Sequence, residues 1–215
     1  MSSEDIIQLQ SAYVERMRTA PSVSSFEYES LDLLVHPGVF PPYVDGVLVA
    51  DTIRVAPGER WLDACTGSGL IGLVAASRGA QVTVTDINPR AVDNALENAE
   101  KLGIREQFSG AVADVFPPPD TPYDVITINP PYSDHAACDL IERSVWDPGN
   151  QVLYRFLAGL PDYLAQGGRA YLGWADFANL SLVALCCKER GIEARITARR
   201  RDEHSEFVVF ELAIT

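Results

Sequence analysis

The segment Trp61-Leu62-Asp63-Ala64-Cys65-Thr66-Gly67-Ser68-Gly69 passes from an apolar run into a turn that contains two glycines. A tight turn between a strand and a helix needs small residues, and glycine also adopts left-handed backbone conformations. Gly67 and Gly69 would let a ligand approach the backbone, and the following helix offers amide donors at its start. The turn alone leaves a dehydrogenase open, because Gly67-Ser68-Gly69-Leu70-Ile71-Gly72 also fits the dinucleotide pattern Gly-x-Gly-x-x-Gly.

Strands and helices are predicted to alternate on both sides of this turn. The predicted strands are 60–64, 81–86, 107–113, 123–128 and 169–174, followed by an antiparallel pair at 192–199 and 206–214. Such alternation favours a mostly parallel sheet with helices on both faces. The fold class is therefore α/β and Rossmann-like, with an antiparallel last strand.

Two features outside the repeating pattern complete the predicted organisation. A helix at 151–165 is expected to end at Gly167-Gly168. Residues 1–56 contain a predicted amphipathic helix at 4–19 and a proline-rich stretch that cannot be regular helix. We therefore expect residues 1–56 to form a short N-terminal cap over the active site and residues 57–215 to form the catalytic domain.

Acidic side chains stand at the predicted carboxyl ends of three successive strands, namely Asp63, Asp86 and Asp114. In a parallel sheet these ends meet at one edge, where α/β proteins bind ligands. Asp86 is placed to accept hydrogen bonds from ribose hydroxyls, and Ile87 would flank an adenine ring. Asp114 can reach the adenine amino group. Together with the glycine turn, the three acids predict a site for a nucleoside-bearing cofactor.

The fourth predicted strand ends in Asn129-Pro130-Pro131-Tyr132, the most specific motif in the chain. Two prolines stiffen the loop and remove two backbone donors. The carbonyl of Pro130 and the amide oxygen of Asn129 can then accept hydrogen bonds from a substrate N–H group, while the Tyr132 ring offers a stacking face. Positioning of this kind is most of what methyl transfer from a sulfonium requires, and an aromatic face can stabilise the developing positive charge.

At these residues the sequence resembles class I S-adenosylmethionine-dependent methyltransferases over about residues 58–175. The resemblance implies S-adenosylmethionine as cofactor and S-adenosylhomocysteine as product. It also implies that Asp63 contacts the methionine amino group through the loop, that Gly67 and Gly69 line the methionine and ribose, and that Asp86 and Asp114 bind the ribose and adenine. The remaining implied cofactor residues are Ala64, Cys65, Thr66, Ile87, Val115 and Asn129. Cys65 departs from the pattern, because many members have a glycine there.

The catalytic loop resembles that of enzymes that methylate exocyclic adenine nitrogen or glutamine side-chain amides, and the release-factor glutamine methyltransferases are the best overall match. Residues 39–42, Val-Phe-Pro-Pro, look like the segment with which such enzymes cover the cofactor. The release-factor enzymes carry a sizeable N-terminal helical domain, whereas about 56 residues precede the core here. This difference favours a smaller methyl acceptor.

The composition restricts the partners. Thirty Asp and Glu residues against 17 Lys and Arg give a formal net charge of −13, which disfavours binding to nucleic acid. We find no signal peptide and no apolar run long enough for a bilayer, so we expect a cytoplasmic protein that does not bind membranes. The cysteine and histidine spacing predicts no metal site. The apolar face of the N-terminal helix would also suit a homodimer interface.

The leading hypothesis is an N-methyltransferase that acts on a small amino- or guanidino-containing metabolite, and the acidic charge balance is compatible with a cationic one. The alternatives are a protein N-methyltransferase of the release-factor glutamine type, an inactive methyltransferase-like binding scaffold and, less favoured because of the Asn-Pro-Pro-Tyr loop, a dehydrogenase. Catalysis is assigned to Asn129, Pro130 and Tyr132. The predicted substrate residues are Phe40, Tyr43, Tyr132, Asp134 and His135.

Overall fold

A computed structural model describes residues 3–118 and 121–214. Five elements precede the glycine turn, and they are α1 (Ser3–Arg18), β1 (Ser24–Tyr28), β2 (Leu31–Val35), α2 (Val44–Thr52) and β3 (Arg60–Ala64). The elements that follow are α3 (Leu70–Ser77), β4 (Gln81–Asp86), α4 (Pro89–Lys101), β5 (Phe108–Val112), β6 (Tyr123–Ile128), α5 (Gln151–Tyr163), β7 (Leu164–Ala175), α6 (Leu180–Glu189), β8 (Ile192–Arg201) and β9 (Glu206–Ile214). None of the helices in the described ranges is long and apolar enough to cross a membrane.

Seven strands form one sheet in the order β5-β4-β3-β6-β7-β9-β8. The pairs among β3 to β7 are parallel, and β9 runs antiparallel to both β7 and β8. The predicted fold class is confirmed, and the predicted bounds of β3, β4 and β6 agree with the structure. Apolar residues in β3 and β6 and β-branched residues in β4 were the signals for these strands.

Successive side chains of the central strands enter two hydrophobic clusters on opposite faces of the sheet. Trp61 and Val125 pack with residues of α2, α3 and α4, whereas Leu62 and Ile126 pack with residues of α5 and α6. This alternation follows from the two-residue period of a strand. It places the strand ends, and the loops that follow them, between two layers of helices.

The polypeptide before β3 contains a hairpin, which the sequence analysis did not predict. β1 and β2 pair antiparallel from Ser24↔Val35 to Tyr28↔Leu31. Two buried asparagines of α4 attach the hairpin to the core, since Asn98 Nδ2 donates to the carbonyl of Leu34 at 2.9 Å and Asn94 Oδ1 accepts from the amide of His36 at 2.9 Å. The apolar side chains of the hairpin and of α2 belong to the same cluster as Trp61.

The prediction that Gly167-Gly168 ends the helix after β6 is wrong. Helix α5 ends at Tyr163, two residues after Pro161, and both glycines lie inside β7, next to a register shift against β6. Gly168 approaches β6 so closely that a Cβ there would lie 2.8 Å from the carbonyl oxygen of Asp124. The glycine therefore serves strand packing, which its sequence neighbours do not reveal.

Candidate active site

The loop between β3 and α3 has left-handed backbone at three positions, with φ of 56° at Cys65, 54° at Gly67 and 96° at Gly69. A Cβ on Gly69 would lie 2.9 Å from the Cβ of Ala95, so a glycine is needed for the loop to pack on α4. Cys65 adopts the same backbone region at a cost, because an L side chain is strained there. Strain of this kind is often found at ligand sites.

Asp63 is fully buried beneath this loop. Its carboxylate accepts hydrogen bonds from Thr66 Oγ1 at 2.6 Å, Thr127 Oγ1 at 2.8 Å and the amide of Gly72 at 3.1 Å. Burial raises the pKa of Asp63 to about 6, although these hydrogen bonds lower it. Asp63 thus holds the loop, the start of α3 and the end of β6 together, which is compatible with the predicted contact to a ligand through the loop.

Asp86 links the end of β4 to the glycine turn. Its two carboxylate oxygens accept from the amide of Gly67 at 3.0 Å and from the amide of Asn88 at 2.8 Å. Burial raises the pKa of Asp86 despite the hydrogen bonds it receives. Ile87, predicted to flank an adenine, is half-buried beside it.

The segment after β5 carries the third acid. Asp114 Oδ1 lies 2.5 Å from Arg155 Nη1 of α5, and both side chains are about 40% exposed, at 43% and 40%. Val115 follows with φ of 69°, an unusual conformation for a β-branched residue, and its carbonyl accepts from Thr85 Oγ1 at 2.5 Å. Asp63, Asp86 and Asp114 therefore lie at one edge of the sheet, as their positions after β3, β4 and β5 predict.

The loop after β6 is anchored by Asp45, a buried residue of α2 that is 3% exposed. Asp45 Oδ2 accepts from the Tyr132 hydroxyl at 2.7 Å and from Asn129 Nδ2 at 3.1 Å. Burial, and then the charge and hydrogen bond of Asp45, raise the pKa of the Tyr132 phenol, which keeps it a donor at neutral pH. Asn129 Oδ1 is buried and has no hydrogen-bond partner among the described residues.

A cavity of about 130 Å³ opens over this loop. Asn129, Pro130 and Tyr132 line it together with Phe40 and Tyr43, so five of the residues predicted for catalysis or substrate binding lie around one space. The Tyr132 ring packs in a tilted arrangement against Trp174 and Phe177, with centroids 5.5 and 5.7 Å apart. Contacts to both its ring and its hydroxyl therefore fix the position of Tyr132.

Two predicted substrate residues do not line this cavity. Asp134 is exposed, and its Oδ1 accepts from the amide of Gly149 at 2.7 Å. His135 packs edge-on against Trp146, with ring centroids 4.8 Å apart. The segment after Tyr132 turns away from the cavity, so nearness to the motif in sequence did not bring these side chains to the site.

The sequence interpretation missed two other parts of the wall. Helix α1 contributes Ile6, Leu9, Gln10 and Tyr13, and the turn between β8 and β9 contributes Asp202, His204 and Ser205. The side-chain amide of Gln10 attaches α1 to the catalytic loop, since it donates to Ser133 Oγ at 2.7 Å and accepts from Trp146 Nε1 at 3.1 Å. The amphipathic pattern of residues 4–19 was the available signal, but it does not tell what the apolar face covers.

The apolar face of α1 packs within the chain. Val14 and Met17 are 5% and 6% exposed and form a cluster with Val145 and Trp146. The face that was considered for a homodimer is thus largely occupied by the protein itself, although Leu9 remains 44% exposed at the cavity.

A parallel sheet with one antiparallel strand, a glycine turn after β3, acids after β4 and β5 and an Asn-Pro-Pro-Tyr loop after β6 define a class I S-adenosylmethionine-dependent methyltransferase. The residues present fit this cofactor, because Asp86 accepts from the amide of Gly67 in the left-handed turn, and both Asp86 and Asp114 lie close enough to Cys65 of that turn to add to the rise in its pKa that burial causes.

Comparison with known proteins agrees with this class. A family model described as "Conserved hypothetical protein 95" matches residues 47–154. A Methanocaldococcus jannaschii protein with the provisional name protein N5-glutamine methyltransferase is 30% identical, over 85% of this chain and 95% of its own. The release factor glutamine methyltransferase of Cereibacter sphaeroides is 36% identical, over 74% of this chain and 65% of its own. The crystal structure of a Pyrococcus furiosus methyltransferase superposes with a TM-score of 0.67 at 17% identity, over 97% and 98% of the two chains.

The chain belongs to this methyltransferase family and is similar to its protein glutamine methyltransferases. It is an N-methyltransferase whose cofactor is S-adenosylmethionine. It spans nearly the whole archaeal relative but a little less than two thirds of the release-factor enzyme.

Proposed function

We propose that the protein methylates the side-chain amide nitrogen of a glutamine in a protein substrate. The observation that carries this proposal is Asn129, which lines a cavity together with Pro130 and whose buried Oδ1 has no hydrogen-bond partner among the described residues. The similarity to proteins named as glutamine methyltransferases favours this acceptor over the small metabolite that the sequence analysis preferred.

The chemistry of an amide explains why two acceptors are useful. The lone pair of an amide nitrogen is delocalised into the carbonyl group, so the nitrogen is a weak nucleophile. An NH₂ group whose two hydrogens are held by Asn129 Oδ1 and the Pro130 carbonyl would have its nitrogen aimed in one direction. Orientation of this kind accelerates the reaction, because the reacting atoms are already aligned in the bound complex. The bound cofactor supplies an electrophilic methyl group on a sulfonium.

The walls of the cavity suit the charge that develops during transfer. The nitrogen becomes positive as it accepts the methyl group, and the rings of Tyr132, Tyr43 and Phe40 line the space. Aromatic faces attract a cation by about 0.5–2 kcal/mol each, more when water is excluded. The proton lost from the nitrogen then needs an acceptor, and the two oxygens that hold the N–H groups are the nearest candidates for passing it on to water.

The size of the cavity also supports a side-chain acceptor. Its volume of about 130 Å³ is well below the roughly 300–1,000 Å³ of pockets that enclose drug-sized ligands. A single glutamine side chain, entering from a polypeptide that stays outside, needs only a narrow space of this kind. We propose that residues 1–56 act as the cap over this site, because α1, Phe40 and Tyr43 all belong to its wall.

The test is methyl transfer from labelled S-adenosylmethionine to a purified release factor and to a variant of that factor with its acceptor glutamine replaced. We expect label in the first protein only, and acid hydrolysis should release it as methylamine, which distinguishes an N-methylamide from methylated lysine or arginine. Asn129→Ala should reduce transfer by at least 100-fold. Transfer to free amines or guanidines with none to release factor would overturn the proposal and favour the metabolite hypothesis.

A further inference from the structure

Asp45 is a buried carboxylate without a cationic partner among the described residues. All of its hydrogen bonds that the structure shows come from neutral donors: the Tyr132 hydroxyl, Asn129 Nδ2 and the amide of Gly46, the last at 2.8 Å from Oδ1. A buried charge is costly unless it is well hydrogen-bonded. Two of the three donors belong to the loop after β6. The buried carboxylate of Asp45 is therefore fully hydrogen-bonded only while that loop keeps its geometry.

The chemistry of the two side chains sets the orientation of Asn129. An amide has a donor end and an acceptor end that are almost identical in shape. An ionised carboxylate accepts hydrogen bonds and donates none. The end of Asn129 that faces Asp45 must therefore be the NH₂ group, and the oxygen must face away from Asp45.

On the opposite side of the amide the oxygen packs against Gly173 in β7, which has no side chain to displace it. A Cβ on Gly173 would overlap with Asn129 Oδ1, whereas a Cβ on Gly46 would be 3.7 Å from Nδ2, an ordinary contact. No donor among the described residues takes up this oxygen. If the amide were reversed, its NH₂ group would face any N–H group of an acceptor, and no hydrogen bond could form.

We propose that Asp45 is the positioning residue for methyl transfer, because it selects the amide orientation of Asn129 that leaves Oδ1 without a partner and free to accept from an acceptor nitrogen, and because it also binds the Tyr132 hydroxyl. The inference rests on the proposed function only in so far as the acceptor carries an N–H group. It assigns a role to a residue of α2, 84 positions before Asn129 and 87 before Tyr132.

The kinetic test is Asp45→Asn, which preserves the shape of the side chain but gives Asn129 a partner that can donate as well as accept. We expect kcat to fall by about 100-fold, the size of effect seen when one group that stabilises a transition state is lost. The KM for the acceptor and the affinity for S-adenosylhomocysteine should change by less than about threefold. Tyr132→Phe keeps the contact between Asp45 and Asn129, so its loss should be smaller.

The matched control is Asp51→Asn. Asp51 lies on the same helix, accepts from the Tyr28 hydroxyl at 2.6 Å and from Arg200 Nη2 at 2.7 Å, and does not line the cavity. This variant undergoes the same chemical change in α2, so a general disturbance of the helix would affect both. We expect kcat within twofold of wild type for Asp51→Asn. An equal loss in the two variants would overturn the positioning role.

A second readout requires no turnover. In a ¹⁵N–¹H correlation spectrum the side-chain NH₂ pair of Asn129, assigned by its absence from Asn129→Ala, should be shifted downfield and exchange slowly with water in wild type. Asp45→Asn should move this pair and speed its exchange, whereas Asp51→Asn should not. An unchanged pair in Asp45→Asn would refute the inference even if glutamine is the acceptor. If the pair moves but no glutamine is methylated, the proposed function fails and the role of Asp45 does not.

Discussion

Arg155 Nη1 of α5 lies 2.5 Å from Asp114 Oδ1, the acid that follows β5. The side chain predicted to bind adenine thus already forms an ion pair with an arginine of α5. Arg155 engages one oxygen of the carboxylate, which leaves the other for an adenine amino group. The pair is about 40% exposed, at 40% and 43%, so water screens it and its contribution to stability is about 0–1 kcal/mol.

Replacement of Asp114 by Ala should weaken S-adenosylhomocysteine binding roughly 10- to 150-fold, because a hydrogen bond to a charged group contributes about 1.5–3 kcal/mol. Arg155→Met removes the ion pair but keeps the carboxylate, and it should change the affinity by less than about threefold. Calorimetric titration measures both, and NAD titrated in parallel should not bind. Equal losses in the two variants would mean that Asp114 acts through its ion pair and not on the cofactor.

The stability of the protein should depend on pH through Asp63. Its pKa is raised to about 6 in the folded protein from an ordinary 3.8, so folding favours the protonated form. The stabilisation from this proton is complete below about pH 3.8 and is lost as the pH rises through about 6. The difference between the two pKa values corresponds to about 3 kcal/mol.

Asp63→Asn isolates this effect because asparagine is neutral throughout. Urea unfolding at pH 7 and at pH 4.5 should show that wild type gains stability relative to the variant on acidification, by about 2 kcal/mol. The titrations of other carboxyl groups cancel in the difference. A difference between the two proteins that does not vary with pH would mean that Asp63 titrates normally.

Cys65 should be replaceable by glycine at less cost than by alanine. Both variants lose the thiol, but only alanine keeps a Cβ at φ of 56°, where an L side chain costs about 1–2 kcal/mol. We expect Cys65→Gly to be more stable than Cys65→Ala by about 1 kcal/mol in thermal or urea unfolding. The wild-type thiol should react slowly with iodoacetamide, since burial and nearby carboxylates raise its pKa.

Gly173→Ala should impair catalysis without unfolding the protein. The added methyl group would occupy the place of Asn129 Oδ1, and Asn129 would have to move, so we expect transfer to fall by about 100-fold. Gly46→Ala adds the same group on the other side of the amide at 3.7 Å from Nδ2, and activity should stay within about threefold. Full activity in Gly173→Ala would show that the placement of Asn129 does not limit the reaction.

Patterns of neighbouring residues predicted the strands of the sheet well, because strand bounds and tight turns depend on residues that are close together in the sequence. The bounds of β3, β4 and β6 follow from apolar and β-branched residues, and the turn around Gly67 follows from backbone freedom. The carboxyl ends of parallel strands meet at one edge whatever the details of packing. The positions of Asp63, Asp86 and Asp114 at that edge were therefore predictable, while their contacts with ligand remain predictions.

The glycine pair in β7 shows where such patterns fail. Gly167-Gly168 has the composition of a helix stop, but Gly168 is needed because the carbonyl of Asp124 lies against it. Asp134 and His135 lie outside the cavity for a similar reason, since the direction of a loop after a rigid motif depends on its anchors, here Gly149 and Trp146.

The sequence by itself determined the class of the enzyme, its cofactor and the candidate catalytic loop, because each of these depends on a short run of neighbouring residues. Only the tertiary structure decided what surrounds that loop. Asp45 meets Asn129 across 84 positions, and Gln10 meets Ser133 across 123. Such contacts arise when helices are packed onto a sheet, where burial excludes water and favours hydrogen bonds between the polar groups that are brought together. No periodicity in the chain encodes which groups these are.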